Sequence, residues 1–406
     1  MKKFSFSFRL AIISQIISLL GGSVLQFGIL LFILRLTGSG GAYGLAMAIS
    51  TIPPVVFAIP GGVVADRKNK KKCIVGLDFT KTVISFILLI IFLSDAYSIP
   101  LLIAFITLFM SLVTLFNPIL TASVPTIVDE DVLVEANGII QSVNAVAHLL
   151  GVVLGGFLFA TIGLTAIILI CGVLFMISTV IDLFIKIPFA KNTGKSSVIQ
   201  ELKAGLHYMT KESPQTLKIT STFAILALLY IPIFMVVLPY VAVIHFDVGD
   251  TLFGVAQGFV ALGMLIGGVA STKLKKWLKV EYFSKWILGM SVLCLPLALA
   301  VGPIFSGAVT FPFWLFNTTL LLIMIIVTFG NVLVMATVQE NAPAHLLGKV
   351  VALVILSASF ATPFGHLVFG RLVERLADDI YILFIVIAII TTGVAFVSRD
   401  MFRKVR

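Results

Sequence analysis

The sequence predicts an all-α membrane protein that crosses the bilayer about twelve times, and three observations predict it. Of its 406 residues, 60% are apolar and only 11% are charged. The mean hydropathy of +1.17 lies far outside the range of chains solvated mainly by water. The apolar residues also fall in runs of roughly twenty or more, the length a helix needs to cross a hydrocarbon core about 30 Å thick. These runs are too long and too uniformly apolar for the alternating strands of a barrel, so helices, which satisfy every backbone group internally, are the spanning structure that remains.

Taken in order, the expected spans lie near 8–36, 43–65, 73–94, 99–121, 139–161, 163–187, 219–244, 251–271, 283–301, 311–335, 348–371 and 378–398. The first follows Lys2, Lys3 and Arg9 as a signal peptide would, but it runs on to Leu36 without a small-x-small cleavage site and reads as a retained helix. The second closes on Gly61-Gly62-Val63-Val64-Ala65-Asp66-Arg67-Lys68-Asn69-Lys70-Lys71. Near the start of the third, Asp78 and Lys81 stand three apart, placed to pair on one helix face. The fourth has no charge at Leu108-Phe109-Met110-Ser111. The fifth carries His148 and a smooth face of Gly151, Gly155 and Gly156, suited to close helix packing. The sixth ends on Asp182 and Lys186, spaced to pair in the same way as the third-span residues.

One connection is long, residues 188–218, and it divides the chain into two six-helix halves, 1–187 and 219–406. The eighth span closes on Gly267-Gly268-Val269-Ala270-Ser271-Thr272-Lys273-Leu274-Lys275-Lys276, echoing the end of the second about half a chain later. Two pseudo-symmetric six-helix bundles are the plan of a rocking transporter with its site between the repeats. His366 lies within the eleventh span, and Pro53-Pro54, Pro118, Pro232, Pro239 and Pro363 are expected to bend their helices.

Basic residues in short loops stay on the cytoplasmic side. Arg67 to Lys72, Lys191 to Lys218, Lys273 to Lys279 and Arg399 to Arg406 fall in alternate connections, which puts both termini in the cytoplasm of a bacterial-type inner membrane. Arg371 and Arg375 are the exception. The net charge of +10 follows from this bias and from attraction to anionic membrane lipid, with no nucleic acid partner required. Cys73, Cys171 and Cys294 lack the spacing of a disulfide framework or metal site. No His/Asp/Glu cluster, nucleophile elbow or phosphate-binding loop is present, so no catalytic residue, metal or cofactor is expected and the chain does not read as an enzyme.

Gly62, Asp66, Arg67, Lys70 and Lys71 match G-x-x-x-D-R-x-x-[RK]-[RK], the loop signature between spans two and three of the major facilitator superfamily, which the chain resembles over its full length. Asn69 stands where that loop usually has glycine, and it too tolerates left-handed angles. Glu135-Ala136-Asn137-Gly138 with Gln141-Ser142, the Glu201 to Leu206 helix, and Gln339-Glu340 with Leu347-Gly348-Lys349-Val350 resemble the macrolide-efflux branch. The resemblance implies a latch, on the cytoplasmic side, between Asp66 and the start of the eleventh span near Gly348. The plainer reading is that the Lys cluster only fixes topology and solvates a turn. The resemblance also implies that spans one, four, seven and ten line the central path, which makes Gln26, Asn117, Tyr230 and Asn331 the cavity candidates. Two departures qualify the proton-coupled pattern of the family: the fourth span lacks its arginine, and the fifth lacks the proline of its Gly-Pro pair.

Ionisable residues inside spans are costly and mark function by default. Asp78, Lys81, His148 and His366 are the candidates for proton or charge handling. The expected function is export of bulky amphipathic small molecules, macrolide-like drugs among them, by a monomer that exchanges them for protons. An exporter or flippase for an endogenous lipid or siderophore is the alternative, and a membrane scaffold or embedded enzyme the reading outside transport.

Overall fold

The computed structural model describes residues 4–53, 55–57, 69–188, 198–273, 280–305, 307–343 and 346–402. Among these residues the regular elements are all helical. They are α1 (Phe6–Thr37), α2 (Gly40–Ser50), α3 (Lys70–Leu93), α4 (Ile99–Ile127), α5 (Leu133–Phe184), α6 (Val198–His207), α7 (Pro214–His245), α8 (Asp250–Lys273), α9 (Phe283–Ala300), α10 (Thr310–Asn341), α11 (Leu347–Arg375) and α12 (Ile380–Phe402).

Eleven helices among the described residues are long and apolar enough to cross a membrane, α2 being counted with its continuation as Gly40–Phe57, where the sequence predicts twelve. The difference lies in α5, where the expected fifth and sixth spans run together. Gly163, at φ 73, is the break within it. A left-handed residue ends one helix and re-aims the next without a loop, and glycine adopts it with no Cβ penalty. Asn69 does not use the left-handed angles it tolerates. At φ −65 it caps α3, its side chain accepting from the Lys72 N–H.

The chain packs as two compact units, Met1–Leu36 with Ile49–Lys195, and Thr37–Ala48 with Ser196–Arg406. The beginning of α2 therefore groups with the second unit. In the first unit α1 is gripped on two sides: Gly151 and Gly155 of α5 lie against Ser23 and Phe27, while Phe175, from the same helix beyond Gly163, lies against Gly21. Phe8, Ile12, Ile74, Phe116, Leu120 and Val124 close one end of this unit in a buried apolar cluster. Large apolar side chains on the outside, Ile90, Leu93 and Val397 for example, remain exposed as lipid-facing residues do.

Prolines shape the second unit. Pro232 and Pro239 in α7 are followed by wide turns at Ile233–Val237 and Val241–His245. Proline lacks the N–H that would continue the regular ladder, and the wide turns that follow close with the Leu238 N–H on the Ile233 carbonyl and the Phe246 N–H on the Val241 carbonyl.

The helix contacts of this unit allow a direct test. A Cβ at Gly267 would lie 2.8 Å from the Ile325 carbonyl oxygen on α10, whereas one at Gly268 would meet nothing within 4 Å. Gly267→Ala is expected to lower the thermal unfolding midpoint of the purified protein by the equivalent of about 1–3 kcal/mol. Gly268→Ala is expected to hold or raise it, through a helical gain of about 0.5–1 kcal/mol. Equal midpoints would contradict the close α8–α10 packing.

Candidate functional site

Three charged side chains of the first unit converge in a place that water does not reach. Asp78 and Lys81, one turn apart on α3, form an ion pair. Asp182 approaches them from the last turn of α5. Their exposures are 0%, 1% and 1%, so each depends on partners inside the protein. Asp78 Oδ1 takes Lys81 and the Ser18 hydroxyl, which donates at 3.2 Å, while Oδ2 accepts from the Ser178 hydroxyl. Ser14 donates to Asp182 Oδ1 at 2.5 Å, and the Ser14 and Ser178 hydroxyls are 2.8 Å apart. Lys81 Nζ also donates to Ser18 and stands 4.7 Å from the Phe116 ring centroid, close enough for cation–π attraction. Asp182 Oδ2 is buried with no hydrogen-bond partner among the described residues.

The expected Asp182–Lys186 pair does not form. The helix ends at Phe184, so Lys186 has left the face that carries Asp182, and its backbone N–H bonds the Ser7 hydroxyl instead. Asp182 turns inward to α1 and α3.

The second unit repeats this arrangement without charge. One constant offset in sequence carries Asp78 to Ser291, Lys81 to Cys294, Ser178 to Thr391 and Thr179 to Thr392. At these positions the Tyr230 hydroxyl meets Thr391 at 3.2 Å and Cys294 Sγ at 3.6 Å, and Ser291 meets Thr392 at 2.6 Å. The same helix contacts are thus tied by neutral groups.

The remaining candidates are dispersed. Tyr230 is buried, its hydroxyl used as just described, and with Asn331 it lines a cavity of about 120 Å³ in the second unit, beside Trp286, Phe283 and Met290. Trp286 Nε1 has no partner there among the described residues. Gln26 is half-buried on α1, and Asn117 on α4 has a buried, unpartnered Oδ1. His366 is 1% exposed, and neither ring nitrogen has a hydrogen-bond partner among the described residues. His148 lies in α5, its side chain outside what is described, and Gly62, Asp66 and Arg67 of the loop signature lie outside the described residues altogether. Lys70 and Lys71 donate to the carbonyls of Ala122 and Leu183, within their own unit. Gly348, the second residue of α11, has open space where a Cβ would be.

Two acidic residues outside the predicted site candidates have a definite setting. Glu374, at the end of α11, accepts from the Gly41 N–H at 2.9 Å and the Ser39 hydroxyl at 3.0 Å. It thereby places a carboxylate at the N-terminus of α2, where the unpaired amides and the helix dipole favour negative charge. Just inside this contact α2 and α11 cross backbone to backbone at Gly44 and Gly370. Glu135, near the start of α5, lines an open groove of about 590 Å³ whose other walls are Ile16, Leu20, Ile139, Val143, Val146 and Leu150, with Ser142.

The family model described as Major Facilitator Superfamily matches residues 11–366. The chain is 23% identical over 372 residues to Macrolide efflux protein A of Streptococcus pyogenes, covering 89% of this chain and 88% of that protein. It is 24% identical over 337 residues to Macrolide efflux protein A of Enterococcus faecalis, covering 80% and 99%. Among solved structures, an auto-inhibited POT family peptide transporter superposes with a TM-score of 0.75 at 11% identity, covering 98% of this chain and 97% of that one.

Lys81→Met leaves Asp78 buried without its cation, and is expected to destabilise the purified protein by about 3–5 kcal/mol. Asp78→Asn combined with Lys81→Met removes both charges and is expected to recover most of the loss. A double-mutant cycle on thermal unfolding checks this, and additive losses would contradict the pair. Glu374→Ala is expected to speed amide hydrogen exchange at residues 41–44 about fivefold, the equivalent of about 1 kcal/mol for a lost helix cap. Unchanged exchange would remove the capping contact.

Proposed function

The chain belongs to the Major Facilitator Superfamily of membrane transporters, and on that premise we propose that it exports bulky amphipathic compounds, macrolide-like drugs in particular, by alternating access driven by proton antiport. The groove along α1 and α5 is the observation that carries the reading. Its walls are aliphatic, and among the described residues its one carboxylate is Glu135. A large apolar ring system bearing one amine matches that chemistry, the apolar body covering the aliphatic side chains and the cation meeting the acid. The efflux proteins of similar sequence point to the same class.

In this reading Gln26, Asn117, Tyr230 and Asn331 supply polar points along the path. Asp66, Arg67 and Gly62, with Lys70, Lys71 and Gly348, serve a latch that holds one conformational state. The protein works as a monomer in a bacterial inner membrane with both termini in the cytoplasm, and the division into residues 1–187 and 219–406, joined by 188–218, defines the rocking bodies. The amine is what separates a drug substrate from the lipid alternative, since an aliphatic groove alone would suit a lysolipid equally well.

The test is transport in reconstituted vesicles with an imposed pH gradient, offering a macrolide, a cationic dye and a lysolipid. Gradient-dependent accumulation of the macrolide is expected. Glu135→Gln is expected to raise its half-saturation several-fold, as loss of one partly screened charge pair of about 1 kcal/mol would. Movement of the lysolipid alone would replace this reading with lipid export, and failure with all three compounds would end the efflux claim.

A further inference from the structure

The buried cluster of the first unit is one hydrogen short. Its side-chain oxygens form a continuous chain, Asp182 Oδ1 to Ser14 Oγ to Ser178 Oγ to Asp78 Oδ2, with three contacts of hydrogen-bond length; the Ser178 hydroxyl also has the Ser14 backbone carbonyl at 3.2 Å, a longer alternative acceptor outside this chain. Each contact requires one hydrogen. A serine hydroxyl supplies one and an ionised carboxylate none, so the two serines fill only two of the three. With Ser178 donating to Asp78 and Ser14 donating to Asp182, the two hydroxyl oxygens face each other at 2.8 Å with nothing between them. The charges are short by the same amount: two carboxylates surround one ammonium, leaving one negative charge uncompensated in a region 0–1% exposed.

We propose that Asp182, Ser14, Ser178 and Asp78 form a binding site for one exchangeable proton, held on Asp182 while Lys81 keeps Asp78 ionised. The added proton settles both deficits. Asp182 then donates to Ser14, Ser14 to Ser178 and Ser178 to Asp78, and the cluster becomes neutral. Binding forms one O–H bond on Asp182 and consumes one negative charge, and release breaks that bond and returns the proton to water. No electron moves and no other reactant is needed.

The surroundings favour a proton over a metal cation. The carboxylates and hydroxyls would also suit a hard ion, but Lys81 Nζ already stands between Asp78 and Ser18, where such an ion would sit. Asp78 and Lys81 are the charges that act on Asp182. α1 presents Ser14 and Ser18, α4 presents Phe116, and α5 adds Phe175, Ser178 and Thr179. Asp78 lies about 12 Å along α3 from Lys70, at a rise of about 1.5 Å per residue, so the site is inside the bundle yet close to one end. The neutral Ser291, Cys294 and Thr391 at the positions matching Asp78, Lys81 and Ser178, with Ala395 at the position matching Asp182, confine it to the first unit.

This inference names the coupling site of the proton-driven reading above and rests on that reading only for its effect on transport. The experiment therefore has two arms. Infrared spectroscopy of the full-length protein in lipid is expected to show, at neutral pH, the carbonyl band of a protonated buried carboxyl. That band should be lost on titration to alkaline pH, lost in Asp182→Asn and shifted in Asp182→Glu. Its absence from the unmodified protein overturns the proposal, and sodium-dependent stabilisation in its place assigns the cluster to a metal ion. In vesicles offered a macrolide, Asp182→Asn is expected to lose gradient-driven accumulation while keeping downhill exchange, and accumulation that persists in the variant overturns the coupling role. If the unmodified protein moves no macrolide, the exporter reading fails alone, and the infrared band still decides the proton site. Should Asp182→Asn not fold, the titration of the unmodified protein and the Asp182→Glu shift carry the same decision.

Discussion

A charge enclosed in hydrocarbon must find its balance within the protein, and the first unit is built around that requirement. Lys81 is the ammonium set among two carboxylates, and its position depends on four helices at once: α3 carries it, α1 supplies Ser18, and α4 and α5 supply the rings of Phe116 and Phe175. Close packing makes this possible. With Phe175 seated against Gly21 and α5 running along Ser23 and Phe27, Ser14 and Ser18 come within hydrogen-bond reach of Asp182 and Asp78. In a bilayer, where apolar surface gains little by leaving lipid for protein, packing and polar ties of this kind hold helices together.

The second unit follows the same plan with different chemistry. Where the first ties α1, α3 and α5 through ionised groups, the second ties α7, α9 and α12 through Tyr230, Cys294, Ser291 and two threonines. These ties, unlike those of the first unit, hold no charged group. Its own distinctive features are the wide turns after Pro232 and Pro239 and the Glu374 cap on α2.

Much of this fold is legible in sequence because the thickness of a bilayer sets the length of an apolar run directly. The break at Gly163 was not, since one glycine in an apolar stretch looks like any other until its backbone angle is seen. The Asp78–Lys81 pair was legible for a local reason: residues three apart on a helix share a face. Asp182 was misassigned for the same local reason, because spacing pointed to Lys186, while the approach of α5 to α1 and α3 joins residues a hundred or more positions apart. Ser14, Ser18 and Ser178 carry no sequence signal of their own, and Glu374 was masked by Arg371 and Arg375, which drew attention only as exceptions to the charge bias. The partners of the Tyr230 hydroxyl, Thr391 and Cys294, lie on helices far along the chain and leave no local trace in the sequence.

The central claim is that one of two buried aspartates is neutral while its neighbour is ionised. The most direct measurement is the carboxyl carbon resonance of each, in protein labelled at aspartate and reconstituted in lipid, with Asp78→Asn and Asp182→Asn supplying the assignments. The account predicts an ionised Asp78 and a protonated Asp182 at neutral pH, the second alone changing as the pH is raised. Two ionised resonances at neutral pH would contradict it.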